Sequence, residues 1–196
     1  MTITYKVKNG IYVNMTNRCP CACTFCLRKN GAGVYGSDSL WLEREPTLDE
    51  VIASIDAWDY SRFREVVFCG YGEPTERLPE VLELARHIKA KYGRQIRINT
   101  NGLADLIWGR PTAPDLKGVV DAVSVSMNEA DAQKYYDLCH PKFGLKSYDA
   151  VIKYIEDVRD YVPYVATSVV TSAISSESIN ICRAKAAELG VVFKLR

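Results

Sequence analysis

Cys19, Cys23 and Cys26 stand in the stretch Asn17-Arg-Cys-Pro-Cys-Ala-Cys-Thr-Phe-Cys26 and offer three thiolates on one short loop at C-x3-C-x2-C spacing. Soft thiolates are the preferred ligands of iron–sulfur clusters, and a cubane [4Fe-4S] cluster takes four ligands. Three cysteines leave one iron open, and an open iron can chelate a small molecule. Such a site is built for chemistry rather than for plain electron transfer. Counting Cys21 as well gives C-x-C-x-C-x2-C, which opens a four-thiolate zinc reading, but C-x2-C pairs dominate zinc sites. A disulfide framework fits less well: seven cysteines is an odd number, no secretory pattern opens the chain, and 196 residues can build a core without staples. Cys69, Cys139 and Cys182 are scattered singly and read as small buried hydrophobes or chance surface thiols rather than as a second cluster.

The elements that must position this loop alternate along the chain. Ile11 to Thr16 reads as a first strand, followed by a long loop, Asn17 to Glu45, that carries the cysteines and the glycine-rich Asn30-Gly-Ala-Gly33. Thr47-Leu-Asp-Glu50 forms a capping box for a helix running to about Trp58. Five further strands are expected over Glu65 to Gly70, Gln95 to Asn99, Ala122 to Met127, Tyr164 to Thr171 and Val191 to Leu195, mostly as continuous apolar runs. Helices are expected over Pro79 to Lys91, Ala130 to Leu138, Tyr148 to Asp160 and Ser176 to Leu189, with Gly93 and Gly190 closing the first and last. Six strands alternating with helices predict α/β architecture, a parallel sheet with right-handed crossovers, and one domain over residues 1–196. Six units are too few for a closed eight-stranded barrel.

Function in such sheets collects at the carboxyl ends of the strands, and polar and glycine residues fall there in series. Gly70-Tyr-Gly-Glu-Pro74 follows the second strand; its glycines allow close backbone approach, and Glu73 suits either an ammonium ligand or a loop-holding role. Asn99-Thr-Asn-Gly102 follows the third, with Thr100 and Asn101 as site-lining residues or as part of an Asn-Gly turn. The fourth strand places Ser124 and Ser126 on one face, and Asn128 just beyond them lines the site or caps the next helix. Ser168 to Ser172, Leu195 and Arg196 end the last two strands. Arg28, Trp41 to Glu45 and His140 to Gly144 stand near the open side, as substrate contacts or ordinary loop, and His87 sits on a charged, solvent-facing helix surface. No catalytic side chain is assigned.

Composition bounds the partners. Hydrophobic content of 47% and charged content of 25% describe an ordinary globular chain, and a net charge of +1 gives no footprint for nucleic acid or an acidic membrane. No apolar run approaches the roughly 18 residues a membrane span needs.

The cysteine loop, with Phe25 just before the last cysteine, resembles the cluster motif of radical S-adenosylmethionine (SAM) enzymes. Gly70, Gly72, Glu73 and Pro74 resemble that family's G-G-E-P segment with Tyr71 in place of the middle glycine, and Asn99 to Gly102 is similar to its N-T-N-G segment. The resemblance implies a partial (β/α)6 TIM barrel and a [4Fe-4S] cluster on Cys19, Cys23 and Cys26 with SAM on the fourth iron. It implies reductive cleavage of SAM to a 5′-deoxyadenosyl radical that takes hydrogen from substrate. Phe25 then lies near adenine, residues 70–74 near the SAM amino group, and Ser124, Ser126 and Asn128 near its carboxylate and ribose, with Thr100 and Asn101 beside them. An external electron donor such as flavodoxin or ferredoxin and a reducing cytoplasm are also implied, and no room is expected for an auxiliary-cluster domain. Asn17 to Cys26, Leu40 to Pro46, Phe68 to Glu76 and Asn99 to Pro111 look like the short TatD-nuclease-associated radical SAM proteins, which points to a small or nucleotide-like substrate. Three other readings stay open: an activase that places a glycyl radical on a protein partner, a peptide or protein modifier, and an iron–sulfur carrier or sensor.

Overall fold

The sheet forms in chain order because each apolar run is followed by a segment that returns over the same face. β1 (Thr4–Val7) and β2 (Gly10–Val13) make a hairpin, with Val7 opposite Gly10 and Lys8 in the left-handed region at φ 51°. β3 (Glu65–Phe68), β4 (Gln95–Thr100), β5 (Ala122–Ser126), β6 (Tyr164–Val169) and β7 (Val192–Leu195) then add in parallel, giving the order β1 to β7 without a crossover out of sequence. The computed structural model describes residues 1–30, 33–34 and 36–196; Gly31 and Ala32 of the glycine-rich segment lie outside the described residues. Among the described residues no pairing joins β1 to β7, so the sheet is a barrel left open on one side.

Six parallel strands are present as expected, and an antiparallel seventh, β1, is added at the edge. The first strand starts at Gly10 and leaves the sheet after Val13, earlier than the expected Thr16, because the Asn14 side chain is bonded outward to the carbonyls of Thr2 and Leu40.

Helices cover the outer face: α1 (Leu48–Asp56), α2 (Leu78–Tyr92), α3 (Ala104–Trp108), α4 (Ala132–Cys139), α5 (Lys146–Val158) and α6 (Ser176–Glu188). Thr47 and Glu50 form both halves of the capping box, and Gly93 closes α2 at φ 60°. α3 was not expected; five residues are too few for a readable period. α4 starts two residues later than expected because Asp131, not Asn128, accepts the capping bond, from the Lys134 amide at 2.9 Å. His87 is not simply solvent-facing: its Nε2 lies 2.8 Å from Asp56, which also receives Lys91 and Tyr92.

The main core lies between sheet and helices. Ile11, Val66, Phe68, Ile96, Ile98, Val123 and Val125 point outward into it with Val51, Leu84, Ile88, Val151 and Ile155. The inward faces are different. Tyr12, Arg97, Asn99, Ser126 and Ser168 line a cavity, so the strands alternate rather than running apolar throughout. Gln95-Ile-Arg-Ile-Asn-Thr100 shows why: Ile96 and Ile98 feed the core, while Arg97 and Asn99 between them line the cavity. A barrel open on one side leaves room for a cavity that the side chains of a closed one would fill.

Candidate active site

The site starts where β2 hands over to the cysteine loop. Gly72 must be glycine: a Cβ there would lie 2.1 Å from the Thr16 carbonyl oxygen and 2.7 Å from that of Arg18. A Cβ on Gly70 would lie 2.1 Å from Oδ1 of Asn14, a buried acceptor with no hydrogen-bond partner among the described residues. The close approach these glycines permit is thus to the entry limb of the cysteine loop. The Glu73 amide completes the contact by donating to the Arg18 carbonyl at 2.8 Å.

Glu73 carries the loop-holding role. Its buried carboxylate accepts from the Thr75 amide (3.1 Å), the Thr75 hydroxyl (2.8 Å), the Thr100 hydroxyl (2.7 Å) and the Asn101 amide (2.7 Å). Burial pushes its pKa up against the pull of those bonds. One carboxylate thereby ties the turn after β3 to the turn after β4. Asn101, fixed by this tie, aims Nδ2 at the sulfurs of Cys19 (3.8 Å) and Cys21 (3.9 Å).

The cysteine loop is also strapped to the end of α4. The Ala22 and Thr24 amides donate to the carbonyls of Cys139 and Leu138, and the Lys142 amide donates to Pro20. His140, left-handed at φ 43°, turns the chain so that Pro141 bridges Cys21. Residues 140–144, read as a substrate contact or free loop, in fact hold the cysteines. The Trp41 to Glu45 limb does the same from the other side: Asn17 exchanges two bonds with the Leu42 backbone, and Glu45 accepts from Thr16 and Arg18.

The sulfurs themselves divide into two kinds. Cys23 is pulled down to about 4, first by a hydrogen bond from Cys139 and next by one from Cys21, against the cost of burial. Cys19 is lowered, first by a bond from Cys21. Cys21 and Cys139 are raised, because each holds its proton while donating to those neighbours. Cys19 and Cys23 are thus pulled down, and Cys21 and Cys139 pushed up, within one buried cluster of sulfurs. Among the described residues no three His, Cys, Asp or Glu side chains gather around a single-ion position.

Beneath the loop lies a cavity of about 520 Å³. Cys23, Cys26, Phe25, Gly70, Tyr71, Ser126 and Asn128 line it, whereas Gly72, Glu73, Pro74 and Thr100 do not and stand behind it as support. Asn128, left-handed at φ 64°, donates from Nδ2 to Cys139 at 3.4 Å. Ser124 lies lower and accepts from Arg196 at 2.9 Å. Tyr71 packs edge-on against Trp41 (5.4 Å) and its hydroxyl accepts from the Gly33 amide at 3.2 Å, so the residue that breaks the glycine run pins the long loop to the cavity wall. Cys69 and Cys139 are not scattered singles: one lines the cavity and the other abuts Cys23, while Cys182 is buried in the core.

Sequence reasoning missed Tyr5, Tyr12 and Arg97. Tyr5 and Tyr12 make one wall. Arg97 crosses the lumen with Glu65 on two oxygens (3.0 and 2.7 Å), Asn99 (3.1 Å) and the Tyr12 hydroxyl (3.2 Å). A charged residue inside an otherwise apolar strand was the available signal for Arg97.

Residues 13–179 match the sequence profile of the Radical SAM superfamily. A GTP 3′,8-cyclase from Lactiplantibacillus plantarum is 28% identical over 131 residues, covering 66% of this chain and 36% of its own. A probable dual-specificity RNA methyltransferase RlmN from Caldanaerobacter subterraneus subsp. tengcongensis is 30% identical over 113 residues, 55% of this chain and 31% of its own. The chain therefore spans about a third of the length of these curated relatives. Streptococcus suis SuiB bound to precursor peptide SuiA shares the fold with a TM-score of 0.68 at 14% identity, over 98% of this chain and 40% of that one.

Proposed function

The chain belongs to the Radical SAM superfamily, enzymes that use a [4Fe-4S] cluster and SAM, and on that premise we propose that it abstracts hydrogen from a small or nucleotide-like substrate held in the barrel lumen. The cavity carries this reading: its lining brings Cys23 and Cys26 of the cysteine loop together with the polar side chains of Asn99, Ser126, Asn128 and Ser168. Cys19, Cys23 and Cys26 are the proposed cluster ligands. When bound, the cluster and SAM together supply a 5′-deoxyadenosyl radical.

The protein's own part is placement. Asn101 stands beside Cys19, and the Gly70–Tyr71 backbone and Asn128 stand at the cavity rim, where an amino-acid head group and ribose need polar partners. Phe25 offers a ring face for adenine. Tyr5, Tyr12 and Tyr71 form an aromatic wall, and Asn99, Ser126, Ser168 and Arg196 form a polar one, which suits a planar group bearing hydroxyls or an anion. The likeness to a GTP 3′,8-cyclase and the TatD-associated resemblance both support a nucleotide-like substrate. Exposed Leu27, next to Cys26, offers an approach for an external electron donor. Seven free cysteines suit a reducing, cytoplasmic setting, and no helix among the described residues is long and apolar enough to cross a membrane.

The substrate class is tested by turnover. Anaerobic protein with SAM and dithionite is expected to form 5′-deoxyadenosine faster when nucleosides or nucleotides are added, by ten-fold or so over the substrate-free rate (about 1.4 kcal/mol in barrier). Acceleration only by a partner protein, with a glycyl radical signal on that partner, would replace this reading with the activase. Acceleration only by peptides would favour a modifier, the class to which the SuiB likeness lends support.

A further inference from the structure

Arg28 lies in a short 3-10 turn two residues beyond Cys26, and each nitrogen of its guanidinium has a partner. Nε lies 3.3 Å from Sγ of Cys26 and donates to it. One terminal nitrogen donates to the Asn17 carbonyl at 3.3 Å and the other to the Cys21 carbonyl at 3.2 Å. The indole of Trp41 stands 5.9 Å away against the plane. Among the described residues no carboxylate forms an ion pair with this arginine, and the side-chain atom it donates to is the Cys26 sulfur. The two carbonyls and the indole would hold the group in place whatever the charge on the sulfur. An N–H···S bond on a fixed, partly buried cation is therefore presented to the third proposed ligand.

Reduction adds one negative charge to a cluster that three thiolates already make anionic. A nearby cation and a donor to a ligand sulfur stabilise the reduced state more than the oxidised one, which raises the reduction potential. The geometry points to Arg28 as a positioning residue that tunes the potential of the cluster, easing its one-electron reduction by an external low-potential donor. The inference rests on the cysteine register proposed above.

The test measures the potential, not turnover. Parent, Arg28→Gln and Arg28→Lys proteins are reconstituted anaerobically, iron is counted, and the midpoint is read by EPR during dithionite titration without SAM. The proposal predicts a four-iron cluster in all three, a clearly more negative midpoint in Arg28→Gln, and an intermediate value in Arg28→Lys, which keeps the charge but loses the fork. A loaded Arg28→Gln protein with the parent midpoint overturns it. Should Arg28→Gln fail to hold iron, Arg28→Lys decides: a negative shift supports the proposal and an unchanged midpoint overturns it. Loss of iron from both variants also overturns it, since the arginine would then be scaffold alone. A parent protein without a four-iron signal would instead sink the cysteine register.

Discussion

Cys23→Ala protein, reconstituted without oxygen, is expected to hold close to no iron, against about four irons per chain in the parent. Cys19→Ala and Cys26→Ala are expected to behave alike, while Cys21→Ala keeps most of its iron. The four cysteines are neighbours in sequence, so the separation is a demanding one. Cys19 and Cys23 sit where neighbouring thiols donate to them and favour the thiolate. Cys21 sits between them, buried and bridged to Pro141, where hydrogen bonds to Cys19 and Cys23 and then burial push its thiol up. A thiol that must be stripped of its proton in that position is a poor ligand. Chemical iron analysis beside the visible absorption of each variant checks the pattern. Equal losses from Cys21→Ala and Cys23→Ala would show that the ligand register is wrong.

Glu73→Ala should lose a few kcal/mol of stability, since each buried donor left without its acceptor costs about 1–3 kcal/mol. The carboxylate's four bonds leave two backbone amides, of Thr75 and Asn101, and two hydroxyls behind in a dry site. Those amides belong to the turns after β3 and β4, so the damage falls on the rim of the site rather than on a remote element. Glu73→Gln should be damaged too, because a side-chain amide puts a donor where an amide or hydroxyl also donates. Urea unfolding gives the stability, and iron content of the surviving folded protein reports the cysteine loop, to which Glu73 is joined through its own amide and Arg18. A Glu73→Ala protein within about 0.5 kcal/mol of the parent would remove this residue from the frame of the site.

The features that were readable in the sequence are the ones encoded locally. Cysteine spacing, the Thr47–Glu50 box, Gly93 at the end of α2 and the glycines of Gly70-Tyr-Gly-Glu-Pro74 each need only a few adjacent residues. The six parallel strands followed from apolar runs between helix signals. What could not be read depends on how distant segments meet. Arg97 meets Tyr12 across 85 residues because the parallel register sets Tyr12, Val67 and Arg97 in one row across β2, β3 and β4. Cys139 looks like a core residue in its own helix, yet α4 ends against the cysteine loop and puts its sulfur beside Cys23. β1 was missed because four residues carry too little period, although Asn9-Gly10 between alternating runs is a hairpin signal. For Gly72 the sequence identified the need for close approach but not its partner, which is the backbone of the cysteine loop itself.

The central claim is that the cysteine loop and the cavity beneath it act together on SAM. The direct measurement is anaerobic: parent protein and a variant with Cys19, Cys23 and Cys26 all replaced by alanine are incubated with iron, sulfide, SAM and dithionite, and 5′-deoxyadenosine and methionine are quantified. The account predicts equal amounts of both products from the parent, with about four irons bound, and neither from the variant. A parent that binds four irons and cleaves no SAM, even with nucleotides, peptides and candidate partners supplied, would contradict it and leave a carrier or sensor. A parent that binds zinc in place of iron would contradict it at the cysteines themselves.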